Sequence, residues 1–367
     1  MARAEQLDTP FVIIDLDKVD HNAARMQRVA TDNGITLRPH AKTHKMPQIA
    51  RLQIEAGAVG VTVAKLGEAE VMIAAGITDI LIAYPIVGEQ KLKRLVDMAR
   101  QANIMVAVDS VETARGISEA VSAAGAVVGL LVEIDCGFGR VGVRPGIPAL
   151  ELAQAISGMP GVAYRGLLTF AGQSYDENGV EALRRAGAEE GRIATECARL
   201  LEEHGLPSLT VSCGSTPSSP YSAQVRGVTE IRPGTYIFGD LMQVALGAHE
   251  LNDCALTVKV TVVSLPEPGR AVVDAGTKVF TSDGDSSPIG TGRGYVKGHP
   301  GIRVAWFTEE HGMLELSEEE AGLRIGDTLE IVPVHCCAVI NMVDEVAVVR
   351  GERFIDIWPV AARGKSR

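Results

Sequence analysis

Ile35-Thr36-Leu37-Arg38-Pro39-His40-Ala41-Lys42-Thr43-His44-Lys45 is a short apolar run that meets a proline and opens into two lysines and two histidines. It is the first of eight such runs, which occupy 35–39, 60–64, 79–84, 104–109, 129–135, 164–170, 209–214 and 230–238. Each is rich in β-branched or aliphatic residues and ends in polar residues or glycine, the pattern of a buried strand. Amphipathic helical stretches fill the gaps, as in 180–204 with its alanines, leucines and charges. Strand alternating with helix implies a parallel sheet, and eight repeats predict an α/β fold closed into a (β/α)8 TIM-type barrel. An open doubly wound sheet is the alternative, but no glycine-rich dinucleotide fingerprint follows the first run.

Past residue 250 the texture changes. The segments 255–263, 270–274, 303–307, 328–332 and 345–349 are strand-like, with turn residues between them and few helix signals. They predict a C-terminal all-β domain. Phe11-Val12-Ile13-Ile14-Asp15-Leu16 is a further strand, cut off from the first barrel run by a helix-like stretch over 17–33. The expected division is a barrel over 17–248 and a β domain over 249–367, joined by the N-terminal strand at 9–16.

The 367 residues exceed a typical single core, and a hydrophobic content of 46% is ordinary for a soluble protein. A net charge of -11 argues against nucleic acid, which needs a basic face to neutralise phosphates. No apolar run approaches the ~20 residues that span a bilayer. Met1-Ala2-Arg3-Ala4-Glu5-Gln6-Leu7-Asp8 lacks the apolar centre of a signal peptide, so the expected compartment is cytoplasmic. The six scattered cysteines suit reduced thiols better than a disulfide framework.

A barrel gathers its chemistry at the C-terminal ends of its strands. Here those ends carry Lys42, Lys65, Tyr84, Asp109, Arg140, Gln173 and the turns at 214–216 and 234–236. Lys42, partly desolvated among Arg38, His40 and Lys45, would lose proton affinity and become a nucleophile able to hold an aldehyde. A solvated basic turn is the competing reading. Gly214-Ser215-Thr216-Pro217 follows the seventh run and Arg232-Pro233-Gly234-Thr235-Tyr236 lies in the eighth, where barrels often cradle a phosphate. A lysine for the aldehyde and a cradle for the phosphate together specify pyridoxal phosphate. His335 and Cys337, two residues apart on an apparent strand, would face one side with Cys336 on the other. Imidazole plus thiolate suits zinc, although such a pair alone is a weak metal signal.

Arg38-Pro39-His40-Ala41-Lys42-Thr43-His44-Lys45, Val132-Glu133-Ile134-Asp135-Cys136-Gly137-Phe138-Gly139-Arg140, the two phosphate turns, Glu309-Glu310-His311-Gly312 and Pro333-Val334-His335-Cys336-Cys337 stand in one order. In that order they resemble the D-threonine aldolase and D-serine dehydratase family, within the alanine racemase-like, fold-type III pyridoxal phosphate enzymes. The resemblance runs from about Thr9 to Trp358. It implies that Lys42, not Lys45, is the Schiff-base lysine, and that Arg140 faces the pyridine nitrogen. An arginine gives up no proton there, which leaves the ring a weaker electron sink. Tyr175, Ser215, Thr216, Gly234, Thr235 and Tyr236 match cofactor contacts.

The resemblance also implies a divalent metal at His335 and Cys337. The cysteine leans towards zinc, whereas an aspartate in its place would favour manganese. The implied substrate is a small D-configured β-hydroxy amino acid. It would undergo retro-aldol cleavage to glycine and an aldehyde, or dehydration to a keto acid and ammonia. Similar aldolases have a histidine after the sixth strand, but Leu168-Thr169-Phe170-Ala171-Gly172-Gln173-Ser174-Tyr175 has none. Gln173 would therefore orient a hydroxyl, and His311 is the histidine expected near the metal, with His40 and His44 behind it. Tyr236-Ile237-Phe238-Gly239-Asp240, Asp253-Cys254-Ala255-Leu256-Thr257-Val258 and Asp274-Ala275-Gly276 followed by Ser282-Asp283 incline the reading to an aldolase. A racemase would use a tyrosine from the β domain and no metal, and a non-catalytic cofactor carrier would lack that domain. The family resemblance implies a homodimer, and neither nucleic acid nor membrane is an expected partner.

Overall fold

Eight parallel strands lie side by side in the computed structural model, which describes residues 7–176, 179–283 and 289–367. They are β2 (Thr36–Leu37), β3 (Val61–Val63), β4 (Asp79–Ile82), β5 (Asn103–Val108), β6 (Val128–Ile134), β7 (Val162–Thr169), β8 (Thr210–Cys213) and β9 (Glu230–Ile231). Their order is β2-β9-β8-β7-β6-β5-β4-β3. The two edges of this sheet meet. Thr62 N donates to Pro39 O at 2.8 Å, and a parallel bridge joins His40 to Thr62.

These strands form because both of their faces are apolar and buried; every residue of β6 is buried. The period of two sends Leu81, Met105, Ala107, Leu131 and Leu168 into one small cluster. Their neighbours Ile80, Ile82, Val106, Val108, Leu130, Val132 and Leu167 join a second, larger one. The larger cluster also takes the apolar stripes of the helices. In the helix Val111–Ala123 these are Ala114, Ile117 and Val121, and Ser110 caps it by accepting from Thr113 N at 3.2 Å. Each fully buried aliphatic side chain is worth about 1.5–3 kcal/mol. Gly166 allows a bulge in β7: it has φ +138, and a Cβ there would sit 1.9 Å from Thr210 O.

The second sheet is built from β1 (Phe11–Asp15), β10 (Leu256–Ser264), β11 (Arg270–Val273), β12 (Gly294–Val296), β13 (Ile302–Phe307), β14 (Gly312–Leu316), β15 (Thr328–Pro333), β16 (Glu345–Arg350) and β17 (Arg353–Pro359). The order is β11-β14-β13-β12-β15-β10-β1-β16-β17, and β11 also pairs with β10. That extra pairing closes β10 to β15 into a ring. All pairs are antiparallel except β1 with β16. Contacts group Ala24–Lys42, Pro47–Gly234 and Gly364–Arg367 into one unit. Residues up to Ala23, Thr43–Met46 and Thr235–Arg363 form the other.

Two sequence expectations fail locally. The eighth run is a strand only at Glu230–Ile231, since Pro233 has no N–H for a ladder and Thr235–Ile237 turns as a 3-10 helix. The second unit is not purely β, for it holds short helices at Leu241–Ala245, Thr277–Phe280 and Cys336–Met342. His335 and Cys337 therefore lie at a helix start, where their shared strand face no longer applies. Among the described residues no helix is long and apolar enough to cross a membrane.

Candidate active site

In the parallel-strand unit Lys42 is exposed, in the 3-10 turn Ala41–Thr43 that follows β2. Its backbone N–H points at His40 Nδ1, 3.4 Å away, so the imidazole shapes the turn. The expected cation at Arg38 is absorbed elsewhere. Arg38 Nε donates to Glu230 Oε2 at 2.7 Å and its other arm to the Asp79 carboxylate. Burial weakens that guanidinium's hold on its proton, but Glu230 and Asp79 more than restore it. His44, in the other unit, likewise builds a turn, accepting from Met46 N at 3.1 Å and meeting the Phe238 ring edge-on.

Arg140 is half-exposed, 3.7 Å from Glu133 Oε1, with its guanidinium carbon 4.7 Å from the Phe170 ring centroid. Glu133 is buried at the end of β6, and burial raises its pKa against the pull of Arg140 and Arg232. Its Oε2 has no hydrogen-bond partner. Asp135 fixes the following loop by accepting from Gly137 N and Gly139 N, each at 3.0 Å. Gln173, in the turn Gly172–Asp176, donates from Nε2 to Cys136 O at 3.1 Å, while its Oε1 is buried without a partner. Tyr175 is half-buried in the same turn.

The turn after β8 is organised by a residue the sequence reading overlooked. Glu190, on the buried face of the helix Val180–Glu203, accepts from Gly214 N at 3.0 Å, Ala171 N at 3.2 Å and the Ser218 hydroxyl at 2.9 Å. Ser215 N donates to Ser218 Oγ at 2.8 Å, and Ser215 and Thr216 are buried. Buried polar atoms nearly always find partners, so the unpartnered Ser174 Oγ, Gln173 Oε1 and Ser219 Oγ leave these two turns with hydrogen-bonding capacity that a bound ligand would use. Gly214 helps, with φ +84 and no Cβ to crowd Ser219 Oγ. A phosphate and a polar ring fit such a lining. Gly234, the last residue of this unit before Thr235, follows Pro233, whose carbonyl accepts from His40 N at 2.9 Å.

In the β-rich unit Thr235 and Tyr236 are buried. Cys337, in the first turn of the helix Cys336–Met342, has its sulfur 3.4 Å from Thr43 Oγ1 and 3.7 Å from Thr235 Oγ1. His335 precedes that helix, and its Nδ1 bonds Asp283. The Cys337 thiol is held well below its usual pKa by a hydrogen bond from Cys336, against burial, with His335 and Thr43 adding to the effect. Burial opposes the His335 charge, but Cys337, Asp240 and Asp283 push its pKa up to about 10. The two shifts are reciprocal, each partner favouring the charged form of the other. A divalent cation would replace the proton they hold, and nitrogen plus sulfur suits a borderline-soft ion. Among the described residues no group of three or more His, Cys, Asp and Glu is arranged to hold a metal ion.

His311 lies exposed in the turn from β13 to β14 and is occupied with Thr308, donating from its N–H to the hydroxyl at 3.2 Å. Glu133, Glu190, Asp240 and Asp283 were missed as site residues. Glu190 was detectable, because it shares the 183, 187, 190, 194 stripe of a helix whose other members are apolar or glycine.

The family model for the alanine racemase N-terminal domain matches residues 14–242, and one for a serine dehydratase domain matches 255–349. A D-threonine aldolase from Arthrobacter sp is 36% identical over 99% of this chain and 94% of its own length. The crystal structure of D-threonine aldolase from Filomicrobium marinum superposes with a TM-score of 0.91 at 36% identity, covering 98% of this chain and 97% of that one. A solved D-threo-3-hydroxyaspartate dehydratase, a cysteine-to-alanine mutant in the metal-free form, superposes with a TM-score of 0.89 at 33% identity, covering 98% and 99%.

Proposed function

Because the chain belongs to the D-threonine aldolase and D-serine dehydratase family of alanine racemase-like, fold-type III pyridoxal phosphate enzymes, and is a lyase, we propose that it cleaves D-configured β-hydroxy-α-amino acids with the help of pyridoxal phosphate and a divalent metal. The favoured reaction is retro-aldol cleavage of a D-threonine-like substrate to glycine and an aldehyde. The observation that carries a metal-assisted lyase over a racemase is the His335–Cys337 pair, since a racemase has no use for two metal donors at the start of a helix.

Pyridoxal phosphate supplies an aldehyde for an amine and a conjugated ring that takes up the electron pair released at the substrate's Cα. Lys42 would provide the amine from an exposed turn. Ser215 and Thr216 would bind the phosphate through small hydroxyls. Arg140, tethered by Glu133 and resting on Phe170, would present a guanidinium that gives up no proton. Gln173 would accept a hydrogen bond at Oε1 and orient a substrate hydroxyl. The metal supplies positive charge that lowers a hydroxyl pKa. His335 would hold it through Nε2, with Nδ1–H donated to Asp283, and Cys337 through its sulfur.

Dehydration is the second reading, favoured by one observation: the metal-free dehydratase structure is of a cysteine mutant, and this chain has a cysteine in its donor pair. Incubation with D-threonine separates the two. Glycine plus acetaldehyde supports cleavage, and 2-oxobutanoate plus ammonia supports dehydration. A homodimer is part of the proposal, and a monomer in sedimentation at micromolar concentration would contradict it.

A further inference from the structure

Glu190 lies on the stripe by which the helix Val180–Glu203 packs inward, and it is 1% exposed. A carboxylate there needs donors, because an unsatisfied buried charge costs several kcal/mol. It has three. Oε1 takes both Gly214 N at 3.0 Å and Ala171 N at 3.2 Å, and Oε2 takes the Ser218 hydroxyl at 2.9 Å. Gly214 and Ser218 bracket the turn after β8, while Ala171 begins the turn after β7 that carries Gln173 and Tyr175. The helix gets close enough because of two glycines. A Cβ on Gly187 would meet Ser218 O at 2.7 Å, and one on Gly191 would meet Val225 at 2.8 Å. Ser218 then passes the constraint on by accepting from Ser215 N at 2.8 Å.

We infer that Glu190 is a positioning residue that locks the phosphate turn after β8 to the Gln173 turn after β7, so that a phosphate held by the first turn orders the second. The inference rests on the proposed binding of pyridoxal phosphate. Glu190 touches neither cofactor nor substrate; it acts through Gly214, Ser218 and Ala171. A Glu190→Gln amide keeps the size but removes the charge, so Gly214 N and Ala171 N lose a charge-assisted acceptor and Ser218 must turn its hydroxyl to accept instead of donate.

The test compares pyridoxal 5'-phosphate with pyridoxal, which lacks the phosphate, on the cofactor-stripped full chain. The wild-type chain is expected to prefer the phosphorylated form, and E190Q to lose about tenfold or more of that preference. Ser218→Ala, which removes only one arm, is expected to lose less. Hydrogen exchange at Ala171 to Asp176 is expected to slow on cofactor binding in the wild type and not in E190Q. A merely structural role would lower the melting temperature and leave the ratio untouched. An unchanged ratio together with unchanged slowing in E190Q overturns the inference and leaves the cofactor reading standing. A wild-type chain that binds neither compound overturns both.

Discussion

The Thr43 hydroxyl stands 3.4 Å from the Cys337 sulfur, and Thr235 adds a second hydroxyl at 3.7 Å. The thiol donates to Thr43 Oγ1, and a hydroxyl that can turn to donate once the sulfur ionises favours the thiolate, the form that binds a metal. Thr43→Val keeps the shape and removes the hydroxyl. A hydrogen bond to a charged group is worth about 1.5–3 kcal/mol. Competition with a chromophoric chelator should therefore show metal affinity falling by roughly tenfold or more. Unchanged affinity would mean that Thr43 only packs there.

Asp240 should matter to the same loop from behind. It is fully buried, and its two oxygens accept from Gln243 N at 3.0 Å and Cys336 N at 3.1 Å, joining the starts of two short helices. Asp240→Ser keeps a cap for the first helix and drops the bond to Cys336. Outer residues of this kind typically carry 10–100-fold in metal affinity, and a loss of about that size is expected by the same chelator titration. Ser118→Ala removes a barrel-side hydrogen bond of 2.6 Å to Pro160 O and should lower the melting temperature without touching metal affinity.

Acid should loosen the Asp135 loop. Hydrogen bonds from Gly139 first, then Gly137, hold this carboxylate's pKa below its usual value. A depressed folded pKa contributes stability above the unfolded value of about 3.9. That contribution is lost as the pH falls through the folded value. Asp135→Asn should flatten the dependence of melting temperature on pH in that acid window. An equally steep slope in the variant would remove Asp135 from the explanation.

Gly166→Ala should damage the barrel at one defined point. The new Cβ would lie 1.9 Å from Thr210 O at φ +138, so β7 and β8 must part. Strain of this kind costs about 1–3 kcal/mol before the clash is counted. Chemical denaturation should report a loss of at least ~2 kcal/mol. A loss near zero would mean that the bulge relaxes freely.

Much of the fold could be read from period and alternation. Each of the eight apolar runs overlaps a parallel strand, because a strand buried on both faces leaves an uninterrupted apolar signature. β12, β14 and β17 escaped notice because β12 is three residues long, β14 begins at a glycine and β17 is largely exposed. The Cys336–Met342 helix was taken for strand, since seven residues of mixed apolar character carry no clear period. At the site, residue types were legible and partnerships were not. Nothing local in Arg38 reveals that Glu230, 192 residues away, would claim its charge. Nor does Cys337 announce that Thr43 would stand beside its sulfur.

The central claim is that the Cα–Cβ bond breaks. Its most direct test is product analysis from D-threonine deuterated at Cα, early in the time course and with metal present. Retro-aldol cleavage leaves the Cα–deuterium bond intact, so acetaldehyde and deuterium-retaining glycine are expected, with no primary isotope effect. 2-Oxobutanoate and ammonia, formed with loss of the deuterium and a primary isotope effect, would contradict it.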